Sequence, residues 1–471
     1  MRKGLLMTDL LEQIAGIVGG QGLLTGEDVS GRAADFMGFT HVQARAIVRP
    51  ASTAELSAVM KLCHAAGQAV VPAGGYTGLV HGADCQPADI QISLERMRAI
   101  EALDPVGRTM TVGAGCPVQT VQEAAAGAGL KFAVDWGARG TATIGGGIST
   151  NAGGNSVVRY GMMRDNVLGI EAVLADGTVI SAMNSLLKNN AAYDLKQLFI
   201  GTEGTLGIVT RAVLKLHSAP LSTNTAMLAL DSFEAVQALF VHAGKRLGAM
   251  LTSFEVMWNS FYQLIAIDTG DHNAPLPGGH GYYVIVEASG TDQERDAELF
   301  ETVLGEALEQ GIAADAVVAS SKAQADQIWA IRDDIKTLSI RTMPAVTFDV
   351  SLPIVAMDGY VRQLEESARA AFGETMKLVV FGHIGDGNLH IILGAQPFAA
   401  DTRHRIEELV YTALVPHRGS ISAEHGIGLE KRDWLQITRS PEELALMRQL
   451  KAAMDPMNIL NPGKVLAQEA K

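Results

Sequence analysis

The chain has few cysteines, no excess of positive charge and no long apolar run. Its 471 residues include Cys63, Cys85 and Cys116, an odd number without C-x-x-C spacing, which favours free thiols in a reducing compartment. Lys and Arg number 37 against 51 Asp and Glu, so nucleic acid is not an expected partner. We find neither a run of about 18 apolar residues nor a signal-peptide pattern, and therefore expect a cytoplasmic protein without a transmembrane segment. Peripheral docking on a membrane stays open.

Two common phosphate-binding fingerprints are also missing. Neither G-x-G-x-x-G nor G-x-x-x-x-G-K-[ST] occurs in the chain, which argues against a Rossmann dehydrogenase and a P-loop NTPase. Glycine is nevertheless abundant, with 50 residues out of 471, against an ordinary share of about 7%. The excess needs a local explanation.

The glycines are concentrated in three segments. Residues 72–82 read PAGGYTGLVHG, residues 137–154 read GARGTATIGGGISTNAGG, and residues 201–208 read GTEGTLGI. Glycine lets backbone N–H groups approach an anion closely, so such loops can bind phosphate. Any one of them is equally consistent with a tight turn, but three together favour a long dinucleotide ligand.

Local patterns predict a mixed helix and sheet fold. Ser52 with Glu55 forms a capping box that starts a helix ending at Gly67, and Asp176-Gly177 between apolar runs is typical of a β-hairpin. Beyond Pro220, helical and strand patterns alternate, which indicates a compact α+β unit. We place a domain boundary within residues 218–224.

A second group of residues suggests a metal site. In FGHIGDGNLHIIL, residues 381–393, the GDGN turn predicts a hairpin with His383 and His390 near its tip, and Glu424 follows in SAEHGIGLEKRDW. Two imidazoles and a carboxylate are a common ligand set for a divalent metal with an open position, zinc first. A lone histidine is more often a hydrogen-bonded core residue, but the set beside a glycine-rich turn favours a metal.

Two cations stand out against the acidic background. Arg332 and Lys336 are four residues apart on a predicted helix over residues 323–339 and are therefore expected on one face. Arginine suits a carboxylate ligand. A solvated face, paired with Asp333 and Asp334, explains the same spacing equally well.

The chain resembles a known family in seven segments. They are PAGGYTGLVHGA, GARGTATIGGGISTNAGG, GTEGTLGIVT, FDVSLP, GHIGDGNLH, EHGIG and MDPMNILNPGKV. These are similar to segments of the vanillyl-alcohol-oxidase type FAD enzymes, and within them to the D-2-hydroxy-acid dehydrogenases, which include the D-2-hydroxyglutarate, D-lactate and glycolate dehydrogenases. The match runs in family order from about residue 48 to residue 465.

The resemblance implies an α+β fold with two domains. An FAD-binding domain of the p-cresol methylhydroxylase type, built from two subdomains, would span residues 1–218. An α+β ferredoxin-like cap domain for the substrate would span residues 219–420. Residues 421–471 would return to the FAD domain.

The resemblance also implies a set of FAD contacts. By motif position these are Pro72, Ala73, Gly74, Gly75, Tyr76, Thr77, Gly78, Leu79, Gly140, Thr141, Ile144, Gly145, Gly146, Thr150, Asn151, Gly153, Gly154, Ile208 and Asn461. Tyr76 stands where some relatives tether the flavin through a histidine, so we expect non-covalent FAD.

Catalytic roles follow from the resemblance in the same way. His383, His390 and Glu424 match the family's metal ligands, His425 the proposed base, and Arg332 the residue that binds the substrate carboxylate. In the implied reaction the metal lowers the pKa of the substrate hydroxyl, His425 removes the proton, and the C2 hydride passes to flavin N5.

Three departures from the family pattern concern the substrate. Relatives that act on 2-hydroxyglutarate often carry Thr, Lys and Asn where this chain has Lys336, Thr347 and Ile392. Thr and Lys are in effect exchanged, so Lys336 remains available for a second carboxylate. We therefore expect a D-2-hydroxy dicarboxylate, D-2-hydroxyglutarate or a relative such as D-malate, with D-lactate or glycolate as the alternative.

The expected partners are the hydroxy acid and an electron acceptor, which could be an electron-transfer flavoprotein, a quinone or a cytochrome. Relatives are often homodimers. Two other classes stay open at this point: a flavin-free zinc hydrolase, and a non-catalytic flavin subunit of a larger redox complex.

Overall fold

The computed structural model describes residues 2–35, 38 and 40–467. The contacts among them divide the chain into two compact units. Unit 1 comprises the described residues of Met1–Gly154, Gly161–Ala219 and Glu424–Lys471, and unit 2 comprises Asn155–Tyr160 and Pro220–Ala423. The borders expected from the sequence were 218/219 and 420/421, and the short segment Asn155–Tyr160 was not expected in unit 2.

Unit 1 is built on two larger sheets and a two-stranded one. The first sheet has the order β1-β2-β4-β3, the second the all-antiparallel order β5-β6-β10-β8-β9, and β7 pairs with β11. The strands are β1 Leu23–Thr25, β2 Ala46–Val48, β3 Val70–Ala73, β4 Ile90–Ser93, β5 Ile100–Asp104, β6 Thr109–Gly113, β7 Leu130–Lys131, β8 Val167–Val173, β9 Val179–Ala182, β10 Ile208–Lys215 and β11 His217–Ser218.

Helices cover these sheets and enclose a large apolar core. Those of unit 1 are α1 Arg2–Val18, α2 Glu27–Ser30, α3 Thr53–Ala66, α4 Val118–Gly127, α5 Ile144–Thr150 and α14 Pro441–Met454, whereas α6, Val157–Tyr160, belongs to unit 2. The start and end of α3 confirm the sequence expectation. Ser52 accepts a hydrogen bond from the Glu55 N–H at its start, and Gly67 ends it with a φ of 62°, a left-handed conformation that glycine adopts without strain.

Unit 2 contains a seven-stranded sheet in the order β15-β12-β14-β13-β17-β18-β16. Its strands are β12 Ser222–Leu230, β13 Leu251–Trp258, β14 Tyr282–Gly290, β15 Asp315–Val318, β16 Ala345–Ser351, β17 Lys377–His383 and β18 Asn388–Gly394. Its further helices are α7 Phe233–Leu247, α8 Asn259–Tyr262, α9 Gln293–Glu309, α10 Lys322–Arg332, α11 Ile335–Thr342, α12 Met357–Phe372 and α13 Thr402–Thr412.

The order of this sheet contains a repeated motif. The chain runs β12-α7-β13-β14-α9-β15 with spatial order β15-β12-β14-β13, which is the ferredoxin-like arrangement. The elements β16-α12-β17-β18-α13 repeat it, and an isolated bridge between Ser351 and Ser420 occupies the place of the last strand. Antiparallel pairing of β13 with β17 joins the two motifs. The predicted ferredoxin-like α+β architecture is confirmed.

One predicted helix is wrong. The helix expected over residues 323–339 is two helices, because α10 ends at Arg332 and α11 begins at Ile335. The side chain of Asp334 accepts a hydrogen bond from the Thr337 N–H at 3.1 Å and so caps α11. Aspartate stabilises a helix start better than a helix interior. Consequently Arg332 and Lys336 do not share one helix face.

Within the described residues we find no helix long and apolar enough to span a membrane.

Candidate functional site

The first two glycine segments lie against each other in unit 1. A Cβ on Gly75 would be 2.0 Å from the carbonyl oxygen of Thr141, and one on Gly74 would be 2.8 Å from the Thr143 hydroxyl. Only glycine permits this backbone approach at Gly75. The loop after β3 and the start of α5 therefore form one glycine-lined surface.

The second segment folds around α5. Thr143 caps this helix by accepting a hydrogen bond from the Gly146 N–H, and Asn151 ends it in the left-handed conformation with a φ of 53°. Farther along, a Cβ on Gly154 would be 1.8 Å from the Asp135 carbonyl oxygen. Ile208 begins β10, which packs against α5. The structure thus brings Gly74 and Gly75 next to Thr141 and Gly146, and places the start of β10 against α5.

Tyr76 combines a left-handed backbone conformation with a hydrogen-bonded hydroxyl. Its φ is 56°, and its hydroxyl donates to Gln91 Oε1 at 2.7 Å. Burial raises the pKa of the Tyr76 hydroxyl to about 12, so it is protonated and donates at neutral pH. The ring packs with Val29, Val42 and Ile47.

Asn461 connects the C-terminal segment to the glycine loops. Its Nδ2 donates to the carbonyl oxygens of Gly82 at 3.1 Å and Glu203 at 2.7 Å. In the described part of the chain its buried Oδ1 has no hydrogen-bond partner. A buried acceptor without a donor is unfavourable unless a ligand supplies one, which fits the expected role of Asn461 beside a bound cofactor.

Glu203 is a functional candidate that the sequence analysis missed. Its buried carboxylate accepts hydrogen bonds from the N–H groups of Ile427 at 2.6 Å and Gly428 at 2.9 Å, and burial raises its pKa. These two N–H groups belong to the EHGIG segment, two and three residues after His425. Glu203 therefore fixes the loop that carries the expected base.

The candidate substrate site of unit 2 lies on one face of the seven-stranded sheet. Cross-strand partners point to the same face, and His383 is the partner of Glu255 while His390 is the partner of Phe381 and of Asp349. The rings of His383 and His390 are perpendicular with centroids 5.2 Å apart. Their ligand nitrogens lie within 4.8 Å of each other. The predicted hairpin with two imidazoles near its tip is present.

Glu255 is the second functional candidate missed in the sequence. It is 1% exposed, and its Oε1 is 2.5 Å from His383 Nδ1 while its Oε2 accepts from Arg332 Nε at 3.0 Å. Burial alone would raise the pKa of Glu255, but His383 and Arg332 hold it below its ordinary value. An ionised carboxylate at Nδ1 keeps the proton on that nitrogen and presents the lone pair of Nε2. The sequence offers one indication of this role, a single carboxylate inside the apolar strand LTSFEVMW. A charge buried in such a strand is nearly always paired with another group.

Arg332 and Lys336 differ sharply in environment. Arg332 is 6% exposed and its Nη2 lies 3.2 Å from His383 Nε2, whereas Lys336 is exposed on the separate helix α11. Nε of Arg332 is bound to Glu255, Nη2 contacts His383, and Nη1 lies 3.7 Å from Asp333 Oδ1. Each Nη group has two N–H bonds, so the guanidinium has further donors for a ligand. The structure therefore joins Arg332, and not Lys336, to the imidazole pair.

Glu424 and His425 begin the C-terminal part of unit 1. The preceding residue, Ala423, donates its N–H to the carbonyl oxygen of Asp349 at 3.1 Å, and Asp349 is the strand partner of His390. Both Glu424 and His425 are partly buried.

The residues present suit the two groups that the sequence analysis expects. Close-packed glycine loops and a buried acceptor on Asn461 without a donor fit a dinucleotide. A pair of imidazoles, one of them oriented through Nδ1 by a carboxylate, fits a divalent metal such as zinc.

Comparison with known protein families decides the class. Residues 44–182 match the family described as FAD binding domain, and residues 219–465 match FAD linked oxidases, C-terminal domain. The chain belongs to the FAD-linked oxidases. The predictions of an FAD cofactor and of an FAD-dependent dehydrogenase are confirmed, and the flavin-free zinc hydrolase is excluded.

Relatives within the family cover nearly the whole chain. D-2-hydroxyglutarate dehydrogenase of Xanthomonas citri pv. viticola is 40% identical over 429 residues, 89% of each chain. The mitochondrial D-2-hydroxyglutarate dehydrogenase of Bos taurus is 35% identical over 463 residues, 98% of this chain and 84% of its own. A D-2-hydroxyglutarate–pyruvate transhydrogenase of Saccharomyces cerevisiae is 34% identical over 446 residues, 93% of this chain and 90% of its own.

The fold has counterparts among solved structures. p-Cresol methylhydroxylase with bound substrate superposes with a TM-score of 0.75 at 14% identity, covering 98% of this chain and 97% of its own. This likeness confirms the expected p-cresol methylhydroxylase type of fold.

Proposed function

We propose that the protein oxidises a D-2-hydroxy acid to the 2-oxo acid, with D-2-hydroxyglutarate or a related dicarboxylate such as D-malate as the preferred substrate. The observation that carries the proposal is the buried Arg332 guanidinium beside the His383 and His390 pair on one sheet face. A buried cation next to metal-type ligands suits an α-hydroxy carboxylate, which presents a charged and a neutral oxygen on adjacent carbons. The similar D-2-hydroxyglutarate dehydrogenases and the D-2-hydroxyglutarate–pyruvate transhydrogenase support the same substrate.

Each residue has a separate task in this proposal. Arg332 binds the substrate carboxylate through its Nη groups and is itself held by Glu255. His383, His390 and Glu424 bind the divalent metal, zinc first, and His425 accepts the proton of the C2 hydroxyl. When bound, FAD supplies the hydride acceptor and the metal supplies a Lewis acid near the hydroxyl. The exposed Lys336 contributes a screened electrostatic attraction for a second carboxylate.

The glycine loops hold FAD without a covalent link. The backbone of Ala73–Leu79 binds the pyrophosphate, and the residues of 140–154, Ile208 and Asn461 bind the remainder. The Tyr76 hydroxyl is bound to Gln91, and a protonated phenol whose pKa is raised by burial is a poor nucleophile toward the flavin.

An anaerobic titration tests the proposed reaction. We expect the purified yellow protein to lose its flavin absorbance with D-2-hydroxyglutarate, D-malate or D-lactate, and not with the L-acids. Chelation is expected to slow this bleaching, and zinc to restore it. A flavoprotein that no D-2-hydroxy acid bleaches would be a non-catalytic flavin subunit, contrary to the proposal. Preferential bleaching by D-lactate or glycolate would replace the dicarboxylate with the smaller acid.

The acceptor, the oligomeric state and the compartment remain predictions. An electron-transfer flavoprotein, a quinone or a cytochrome is the expected acceptor, and the name of the yeast relative adds a 2-oxo acid such as pyruvate to the compounds worth testing. Stopped-flow reoxidation of the reduced protein by each acceptor separates them. Sedimentation of the holoprotein tests the homodimer, and fractionation of cells tests the cytoplasmic or membrane-peripheral location.

A further inference from the structure

Asn388 carries a buried side-chain amide. It begins β18, is 2% exposed, and within the described residues its Oδ1 and Nδ2 both lack a hydrogen-bond partner. Folding has removed a donor and an acceptor from water without replacing either contact, which is unfavourable and rare in proteins. Such a group calls for a ligand or an ordered water.

The sheet register places this amide on the face of the imidazole pair. Asn388 and His390 are two residues apart on β18 and therefore point to the same side. The β17–β18 ladder pairs Phe381 with His390, so its continuation would set His383 opposite Asn388. Gly382 packs tightly here, since a Cβ on it would be 2.3 Å from the Asn388 carbonyl oxygen. The amide is thus held at the same hairpin tip as His383.

The side chains on this sheet face change from apolar to polar toward the hairpin tip, which supports a ligand-binding site there. Farther from the tip, Val379, Phe381 and Ile392 belong to an apolar cluster that includes Met257. Toward the tip the same strands present Glu255, His383, His390 and Asn388. Glu255 and His383 are bonded to each other, and the His390 ring contacts those of Phe381 and His383. Among the described residues the Asn388 amide has no hydrogen-bond partner.

We propose that Asn388 binds the α-hydroxy carboxylate end of the substrate, with Nδ2 donating to a carboxylate oxygen and Oδ1 accepting from the C2 hydroxyl. This inference rests on the proposed function. An amide with a free donor and a free acceptor matches a ligand with adjacent acceptor and donor groups, which an α-hydroxy acid offers and a plain carboxylic acid does not. The Nδ2 contact to the carboxylate is made in the bound substrate and in the transition state, so its loss raises KM at nearly constant kcat. The Oδ1 contact selects for the hydroxyl group in the bound substrate, before that proton moves to the base.

The test compares Asn388→Leu with the wild-type holoenzyme. Leucine has a similar shape and removes both polar atoms. We expect KM for D-2-hydroxyglutarate to rise by about 10-fold to 100-fold with kcat little changed, while Ki for glutarate, which lacks the hydroxyl, changes much less. The ligand-free protein should melt at the same temperature or higher, because an unsatisfied amide has been removed. If D-malate is the acid that bleaches the flavin, KM is measured for D-malate and Ki for succinate. If it is D-lactate, KM is measured for D-lactate and Ki for propionate.

A matched control and a second variant complete the experiment. Asn224 on β12 also has a buried Nδ2 without a partner, and Asn224→Leu should leave KM unchanged. If Asn388→Leu does not fold, Asn388→Asp keeps the shape and should weaken binding at least as much, because its charge repels the substrate carboxylate. The inference would be overturned if, in the folded variant, both KM and the ratio of KM to Ki stayed within twofold of wild type.

This outcome is distinct from failure of the proposed function. In the first case the wild-type flavin is still bleached by a D-2-hydroxy acid, whereas wild-type protein that no hydroxy acid bleaches would overturn the proposed function as well.

Discussion

Glu255 and His383 are cross-strand partners whose side chains form a buried hydrogen bond of 2.5 Å between Oε1 and Nδ1. The same carboxylate binds Arg332 through its other oxygen. One residue therefore orients both the proposed metal ligand and the proposed substrate-binding cation. Since carboxylates that orient a ligating histidine strengthen metal binding, this relationship can be tested directly.

We expect Glu255→Gln to weaken zinc binding by about 10-fold to 100-fold. The amide has a single acceptor oxygen and can therefore accept from only one of His383 and Arg332, and it no longer carries the charge that favours the Nε2 lone pair. The measurement is competition for zinc with a chelator of known affinity, together with the FAD content, which should stay unchanged. Glu287→Gln is the control, since Glu287 lies on the neighbouring β14 and accepts from Trp329 and Thr225 instead. Unaltered zinc affinity in Glu255→Gln would exclude this role.

A second prediction concerns the glycine loops. Gly75→Ala should abolish FAD binding, because its Cβ would be 2.0 Å from the Thr141 carbonyl oxygen and would separate the two loops. Gly137→Ala adds the same methyl group where nothing lies within 4 Å and should retain FAD. The ratio of flavin to protein absorbance in the purified variants measures the effect. Equal flavin content in both would show that the close approach at Gly75 is not needed.

Glu203 is expected to act on catalysis through the loop of His425. Glu203→Ala leaves the N–H groups of Ile427 and Gly428 without their acceptor, which costs about 1–3 kcal/mol of stability. We expect kcat to fall more than KM rises, because the loop that carries the base loses its anchor. Glu203→Gln, which retains one acceptor oxygen, should recover part of both losses. A lower melting temperature with normal kcat would limit Glu203 to a structural role.

The pH dependence of stability has an identifiable contribution from Glu95. Burial opposes its ionisation, but hydrogen bonds from Arg32 and Arg49 lower its pKa to about 2. Ionised Glu95 therefore stabilises the fold fully above its unfolded pKa, about 4.3, and this contribution disappears as the pH falls toward 2. We expect Glu95→Gln to melt below wild type at pH 7 and to approach it near pH 3. A difference that does not change between these pH values would contradict the assignment.

The sequence was most informative where one local pattern decides the structure. The Ser52 and Gly67 caps, the Asp176-Gly177 hairpin and the GDGN turn each depend on a few neighbouring residues, and all are present in the fold. The imidazole pair was predictable for the same reason. Glycine clustering predicted a dinucleotide loop because the needed property, a missing Cβ, belongs to the residue itself.

The sequence was less informative where the partner is distant in the chain. Glu255 and His383 are 128 residues apart, and Glu203 lies 224 residues from Ile427, so no local pattern joins them. The prediction that Arg332 and Lys336 share one helix face was wrong for a different reason. Helical spacing assumes an unbroken helix, whereas Asp334 caps a new one between them.

Lys336 provides the last prediction, on substrate range. Because its side chain is exposed on α11, its attraction for a second carboxylate is screened by water and salt and amounts to about 0–1 kcal/mol. Lys336→Met should therefore raise KM for D-2-hydroxyglutarate by up to about fivefold at low ionic strength, with a smaller effect in salt and little change for D-lactate. Arg341→Met removes another exposed cation of the same helix and should alter neither. Equal effects of Lys336→Met on the dicarboxylate and on lactate would mean that this lysine does not bind the second carboxylate.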